Sequence, residues 1–275
     1  MPRVRGRTLR HSAFLFLALA CAAACFTQPK AFAQLEVAPP LLRAVEPPPR
    51  DWTSQQLEER ADSLRAQKLY LDAIDYYKAA EKSRKTHSAA LYNKIGITEL
   101  QMQRFRDADK DFHRAIKADK KYADGYNNLG VIYYLNKKYG KAVKQYRKAI
   151  KLYEQSASYH SNLAAAYFSQ KKFETAMVEY ARALQLDPEI FERTSQTGVA
   201  AQMSSPEDRA HYDYMVAKMY AQMGLADRSL LYLRKAMEEG YRGIDAVYKD
   251  SEFAGLRKDP RFLELMKTRP QAIPN

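Results

Sequence analysis

From Trp52 onward, apolar and small residues return at two nested periods. The short period is helical. Around Gly130 they fall at Tyr126, Leu129, Gly130 and Tyr133, the i, i+3, i+4, i+7 spacing of one helical face. A polar break at Asn136-Lys137-Lys138 follows, and the spacing resumes through Tyr139, Ala142, Val143, Tyr146, Ala149, Ile150 and Tyr153. The pattern predicts two helices joined by a tight turn. The long period is set by alanine pairs seven apart: Ala73/Ala80, Ala108/Ala115, Ala142/Ala149 and Ala176/Ala183, with Ser229/Ala236 as a fifth. Successive steps are 35, 34, 34 and 53 residues, the last being one period plus a 19-residue insertion. Gly96, Gly130 and Ala164 repeat the 34-residue step in a second register. Such a period marks stacked units, none of which buries its apolar face alone.

The small residues have a steric reason. Two helices approach closely only where a side chain is nearly absent, and Tyr126, Tyr133 and Tyr146 fill the spaces beside Gly130, Ala142 and Ala149. The units read Tyr92-Ile95-Gly96-Ala108-Phe112-Ala115, then Tyr126-Leu129-Gly130-Tyr133-Ala142-Tyr146-Ala149, then His160-Leu163-Ala164-Tyr167-Ala176-Tyr180-Ala183-Pro188. This order resembles the tetratricopeptide repeat (TPR). The resemblance implies an all-α, right-handed superhelical solenoid of about five helix pairs with a C-terminal capping helix. The units are expected at 54–88, 89–122, 123–156, 157–190 and 210–240, with an insertion at 191–209. The first and fifth are degenerate, as terminal repeats often are. Ser205 and Pro206 predict a helix start at the end of the insertion. Residues 241–275, with Phe253, Leu256 and Asp259-Pro260-Arg261-Phe262, are expected to cover the apolar end of the stack.

The N-terminal 33 residues break the pattern. Arg3, Arg5, Arg7 and Arg10 precede a 14-residue apolar run from Ala13 to Phe26, and Ala31-Phe32-Ala33 follows. This is the layout of a signal peptide cleaved after Ala33. The run is shorter than a membrane span requires. Cys21 and Cys25 are the two cysteines of the chain, and cleavage removes both, along with any disulfide or thiolate site. Lipidation at Cys21 is the competing reading, but Ala18 stands where an aliphatic residue belongs. Residues 34–53 are Pro-rich and read as a linker that holds the folded part away from the membrane. The expected location is exported: periplasmic or secreted, at the cell envelope.

Loss of the leader's five cations lowers the formal net charge from +13 to +8. Most of the excess lies in residues 101–151, with 14 Lys/Arg against 5 Asp/Glu. Lys137, Lys138, Lys141, Lys144, Arg147 and Lys148 are expected on an outer face. That face is either simply solvated or meets an anionic envelope surface of lipid or glycan. Export argues against nucleic acid as its partner.

Enzyme signatures are absent: no phosphate loop, no Gly-x-Ser-x-Gly and no His-Glu-x-x-His. His87, His113, His160 and His211 are too far apart in sequence for a helical metal motif, so no metal or cofactor is expected. The expected function is non-catalytic binding of a protein or peptide in the inner groove. Asn128 and Asn162 share one repeat position and resemble the asparagine ladder by which some TPR proteins hold an extended backbone. Their loss is expected to leave the fold intact. The matching positions hold Lys94 and Met215. Asn93 is a further groove candidate, although Asn93, Ile97, Asp124 and Ser158 do not make the clamp that TPR domains use for acidic tails. Tyr134 and Phe168 are either exposed groove anchors or helix-to-helix packing.

Overall fold

The computed structural model describes residues 43–84, 86–194 and 205–272. The predicted leader with Cys21 and Cys25, the first part of the linker and the middle of the insertion lie outside the described residues.

The described residues form twelve α-helices and no strand. In chain order these are α1 (Ser54–Ala66), α2 (Tyr70–Ser83), α3 (Ala89–Gln101), α4 (Phe105–Ala118), α5 (Ala123–Leu135) and α6 (Tyr139–Leu152). Then come α7 (Ala157–Ser169), α8 (Phe173–Leu186), the short α9 (Ile190–Thr194), α10 (Pro206–Gln222), α11 (Ala226–Glu238) and α12 (Pro260–Thr268). Five antiparallel pairs result: α1 with α2, α3 with α4, α5 with α6, α7 with α8 and α10 with α11. Each of α2, α4 and α6 also lies against the first helix of the next pair.

The turn inside each pair is the same. One residue takes left-handed backbone angles: Lys68, Gln103, Lys137, Lys171 and Gly224, with φ between 57° and 74°. In the third unit the N–H of Lys138 donates to the carbonyl of Tyr133 and that of Lys137 to Tyr134, both at 2.8 Å. These two bonds satisfy the carbonyls that a helix end leaves open. Only the fifth unit uses the residue type that this conformation favours.

The alanine register is the core register. All four alanine pairs and Ser229/Ala236 are fully buried. Tyr77, Phe112, Tyr146 and Tyr180 occupy the same place in the second helices and are also fully buried; the wholly apolar Phe112 contributes about 1.5–3 kcal/mol by burial. A Cβ built on Gly96 would lie 2.6 Å from the Phe112 ring, and one on Gly130 2.5 Å from Tyr146. Both glycines are therefore required by close approach. Ser229 is accommodated because its hydroxyl donates to the Ala217 carbonyl at 2.8 Å.

Both ends are closed. Residues 43–52 do not hang free as a tether but run along α2. Buried Asp72 accepts the N–H of Ala44 at 3.2 Å and that of Val45 at 3.4 Å. The Tyr76 hydroxyl donates to the carbonyl of Glu46, and Trp52 meets the Tyr76 ring edge-on. At the other end, three 3₁₀ turns and α12 bury Phe253, Leu256, Phe262 and Leu265 over the last pair. Asp259 caps α12 by accepting the N–H of Arg261, with Pro260 in the first turn. Helices already occupy both flanks of the expected insertion. It opens as α9, where Ile190 and Phe191 are buried and the Phe191 ring packs edge-on against Tyr180 and Tyr212. It closes at Ser205, which caps α10 by accepting the N–H of Asp208.

Candidate functional site

Among the first helices, α5 contacts both α3 and α7 directly. Asn128 lies two residues before Gly130, about 200° around the helix from the face that meets α6. The structure brings Asn93, Asn128 and Asn162 together on this face, but it spends their amides on one another. Asn128 Nδ2 donates to Asn93 Oδ1 at 2.8 Å, and Asn162 Nδ2 to Asn127 Oδ1 at 3.0 Å. Asn127 Nδ2 in turn donates to Asn128 Oδ1 at 3.0 Å. Lys94, at the position matching Asn128, reaches back in the same way to Glu58 at 2.8 Å and Asp62 at 2.7 Å.

The result is one ladder with three rungs, in which residue 94, 128 or 162 grips residue 58, 93 or 127 of the preceding first helix. Asn127 was not singled out in the sequence; its signal was the 34-residue step from Asn93. Met215 ends the ladder. The expectation that Asn128 and Asn162 are dispensable for the fold is therefore corrected. Removing Asn128 strips buried Asn93 of a partner, which costs about 1–3 kcal/mol. Asn128 and Asn162 are nevertheless only half-buried, and each carboxamide keeps a second N–H.

Tyr134 and Phe168 are not exposed anchors. Both are buried, at 5% and 1% exposure. The next first helix covers each: the Tyr134 hydroxyl bonds Ser169 Oγ at 3.0 Å, and Phe168 packs against Phe173, His211 and Tyr212. The positions that remain accessible one turn from the ladder are Ile97 and Val131, both half-buried.

The six basic candidates, Lys137, Lys138, Lys141, Lys144, Arg147 and Lys148, are all exposed. Among the described residues no carboxylate pairs with any of them. Lys141 and Lys148 instead lie over the Tyr133 and Tyr126 rings, at 5.8 and 5.3 Å.

His160 packs as its repeat position predicts and is tied at both nitrogens, to Glu179 at 2.7 Å and the Glu154 carbonyl at 3.0 Å. Two acids are perturbed by burial. Glu99, on α3 beside Asp111, is pushed up to about 8 by desolvation and then by that neighbouring charge. Asp213, on α10 beside Glu239, is pushed up to about 7 by the same two causes. Neither sits in a cluster with metal-binding geometry among the described residues.

A tetratricopeptide-repeat family model matches residues 93–157, and a second matches residues 157–190. The chain belongs to the tetratricopeptide-repeat proteins. Among solved structures, the TPR chain is similar to one in the APC/C hetero-tetramer Cut9-Hcn1. Identity is 14% and the TM-score 0.50, covering 79% of this chain and 36% of that one. It is also similar to TTC0263, a thermophilic TPR protein of Thermus thermophilus, at 18% identity and a TM-score of 0.48, covering 72% and 96%. For MamA the values are 20% and 0.45, covering 65% and 93%. No curated protein matches the TPR chain by sequence.

Proposed function

We propose that this TPR protein is a non-catalytic scaffold of the cell envelope that holds a protein or extended peptide on the face shared by α3, α5 and α7. One observation carries the reading. Asn128 and Asn162 are half-buried on one strip, and each retains an amide N–H after making its inter-repeat bond. A carboxamide can serve a backbone amide without reading its side chain. Ile97 and Val131, one turn along the same face, offer apolar seats between the rungs. The role is that of a preorganised surface, with no chemistry of its own.

The test is a photo-reactive residue placed at Val131 or Ile97 in cells, with Arg106 on α4 as the control. A protein adduct of defined mass at Val131 and Ile97, and none at Arg106, is the expected result. Adducts at Arg106 alone would move the binding surface to the second helices. The envelope location rests on the leader-like residues 1–33. N-terminal sequencing of exported protein should begin at Gln34; retention of Arg3 to Arg10, or a lipid on Cys21 or Cys25, would overturn this boundary and the loss of both cysteines.

A further inference from the structure

The α6 face is separate from the ladder and differs from the matching α4 face, where Asp107 and Asp111 pair with Lys110 and Arg114. Lys141, Lys144, Lys148 and Lys151 recur along α6 at steps of 3, 4 and 3 residues and form a single stripe, and Lys137 stands in the turn before it. Lys144, Lys148 and Lys151 each follow a buried core residue (Ala142, Tyr146 and Ala149) by two positions. They thus point about 200° away from the core. All five lysines are exposed. The helix Tyr139–Leu152 contains no acidic residue, and among the described residues no carboxylate neutralises the stripe. Along the helix, from Lys141 to Lys151, it extends for about 15 Å. At its C-terminal end stand two exposed apolar side chains, Leu152 and Tyr153, at 40% and 56% exposure.

We infer that this stripe docks the protein on an anionic lipid bilayer. Charge complementarity is one argument. Mutual repulsion among unpaired ammonium groups is relieved when they meet an anionic surface. Residue type is the second. Lysine is a flexible point charge, suited to a diffuse field of headgroups; fork-like recognition of one phosphate or carboxylate is the province of arginine. The third is the apolar end. An aliphatic and an aromatic side chain beside basic residues is the composition that enters the headgroup boundary. Docked in this way, α6 faces the lipid while the ladder face, on the far side of the pairs, stays open. The inference does not depend on the groove reading, and either can fail alone.

The experiment is co-sedimentation of the full chain with phosphatidylcholine vesicles, with and without phosphatidylglycerol. The apolar run at 13–26 partitions into any bilayer, so the readout is the ratio of anionic to neutral affinity. The triple variant Lys141→Gln, Lys144→Gln, Lys148→Gln should lower this ratio on the order of a hundredfold. A control triple, Arg106→Gln, Lys110→Gln, Lys117→Gln, removes the same charge from α4 and should change it less than about threefold. Leu152→Ser with Tyr153→Ser should lower the affinity for anionic vesicles about tenfold at a salt concentration that already screens the lysines. Equal losses in the two triples would reduce the effect to net charge and overturn the proposal. So would retention of a DNA duplex or polyglutamate that depends on α6 while the vesicle ratio stays unchanged. Equal melting temperatures of wild type and variants show that folding is not the cause of the loss.

Discussion

The second helices α4 and α6 occupy the same place one repeat apart, and their inward faces are nearly interchangeable. Ala108, Phe112 and Ala115 correspond to Ala142, Tyr146 and Ala149, under Gly96 and Gly130 respectively. Even one surface contact is shared. Arg114 lies 4.0 Å over Tyr92, and its counterpart Lys148 lies 5.3 Å over Tyr126. The outward charges diverge. In α4, Asp107 pairs with Lys110, and Arg114 joins Asp111 and Glu81 of α2. In α6 the matching residues are Lys141 with Lys144, and Gln145 where Asp111 stood. The family's packing demands constrain one face of a helix and leave the other free to diverge. The charge excess of residues 101–151 is therefore not one patch. Its first half is largely neutralised internally, and its second half is bare.

The largest effect should be common to both helices. Ala108→Leu and Ala142→Leu each force methylenes between paired helices and should cost about 1–3 kcal/mol in thermal or denaturant unfolding. Lys144→Leu should leave the melting temperature nearly unchanged. A large difference between the two alanine sites would break the claim of equivalent cores.

Next comes Glu99, a group of the second unit alone, since the matching position holds Tyr133. Its raised value means that the folded chain keeps a proton which the unfolded chain releases near 4.5. Stability attributable to Glu99 therefore falls as pH rises from about 4.5 to about 8 and is lost above that. Glu99→Gln should be close to neutral at pH 5. At pH 9 it should be stabilising by about 1–2 kcal/mol, after allowing for solvent screening. Unfolding curves at the two pH values decide this.

A smaller contrast separates Arg114 from Lys148. Arg114→Gln removes the cation that Asp111 and Glu81 share and should cost about 1 kcal/mol. Lys148→Gln should stay within about 0.5 kcal/mol. The smallest change is Lys141→Asp, which copies Asp107 into the first turn of α6 opposite Lys144. It should stabilise by roughly 0.5 kcal/mol at low salt, and the gain should disappear in high salt.

What could be read in the sequence was whatever sterics repeat. The alanine and glycine registers, the Ser205-Pro206 start and the Asp259-Pro260 cap all follow from local geometry. What could not be read depends on the neighbouring repeat. Asn128 and Asn162 looked free because their partners, Asn93 and Asn127, lie 35 residues away. Tyr134 and Phe168 stayed open between groove anchor and helix-to-helix packing because the helices that cover them belong to the next pair. Arg43 to Trp52 read as linker because prolines forbid a helix, yet they say nothing against an extended segment bound along α2. The neutralisation of Arg114 likewise required Glu81 of the preceding pair.

Lysine footprinting of the intact chain by acylation and mass spectrometry addresses both faces at once. Lys94 is held by Glu58 and Asp62 on the ladder, whereas Lys141, Lys144 and Lys148 stand bare on α6. Two opposed surfaces predict slow labelling of Lys94 and fast labelling of the three α6 lysines. Vesicles containing phosphatidylglycerol should then protect Lys141, Lys144 and Lys148 while leaving Lys110 and Lys117 unchanged. Labelling of Lys144 as slow as that of Lys94, or uniform protection of all surface lysines, would contradict the account.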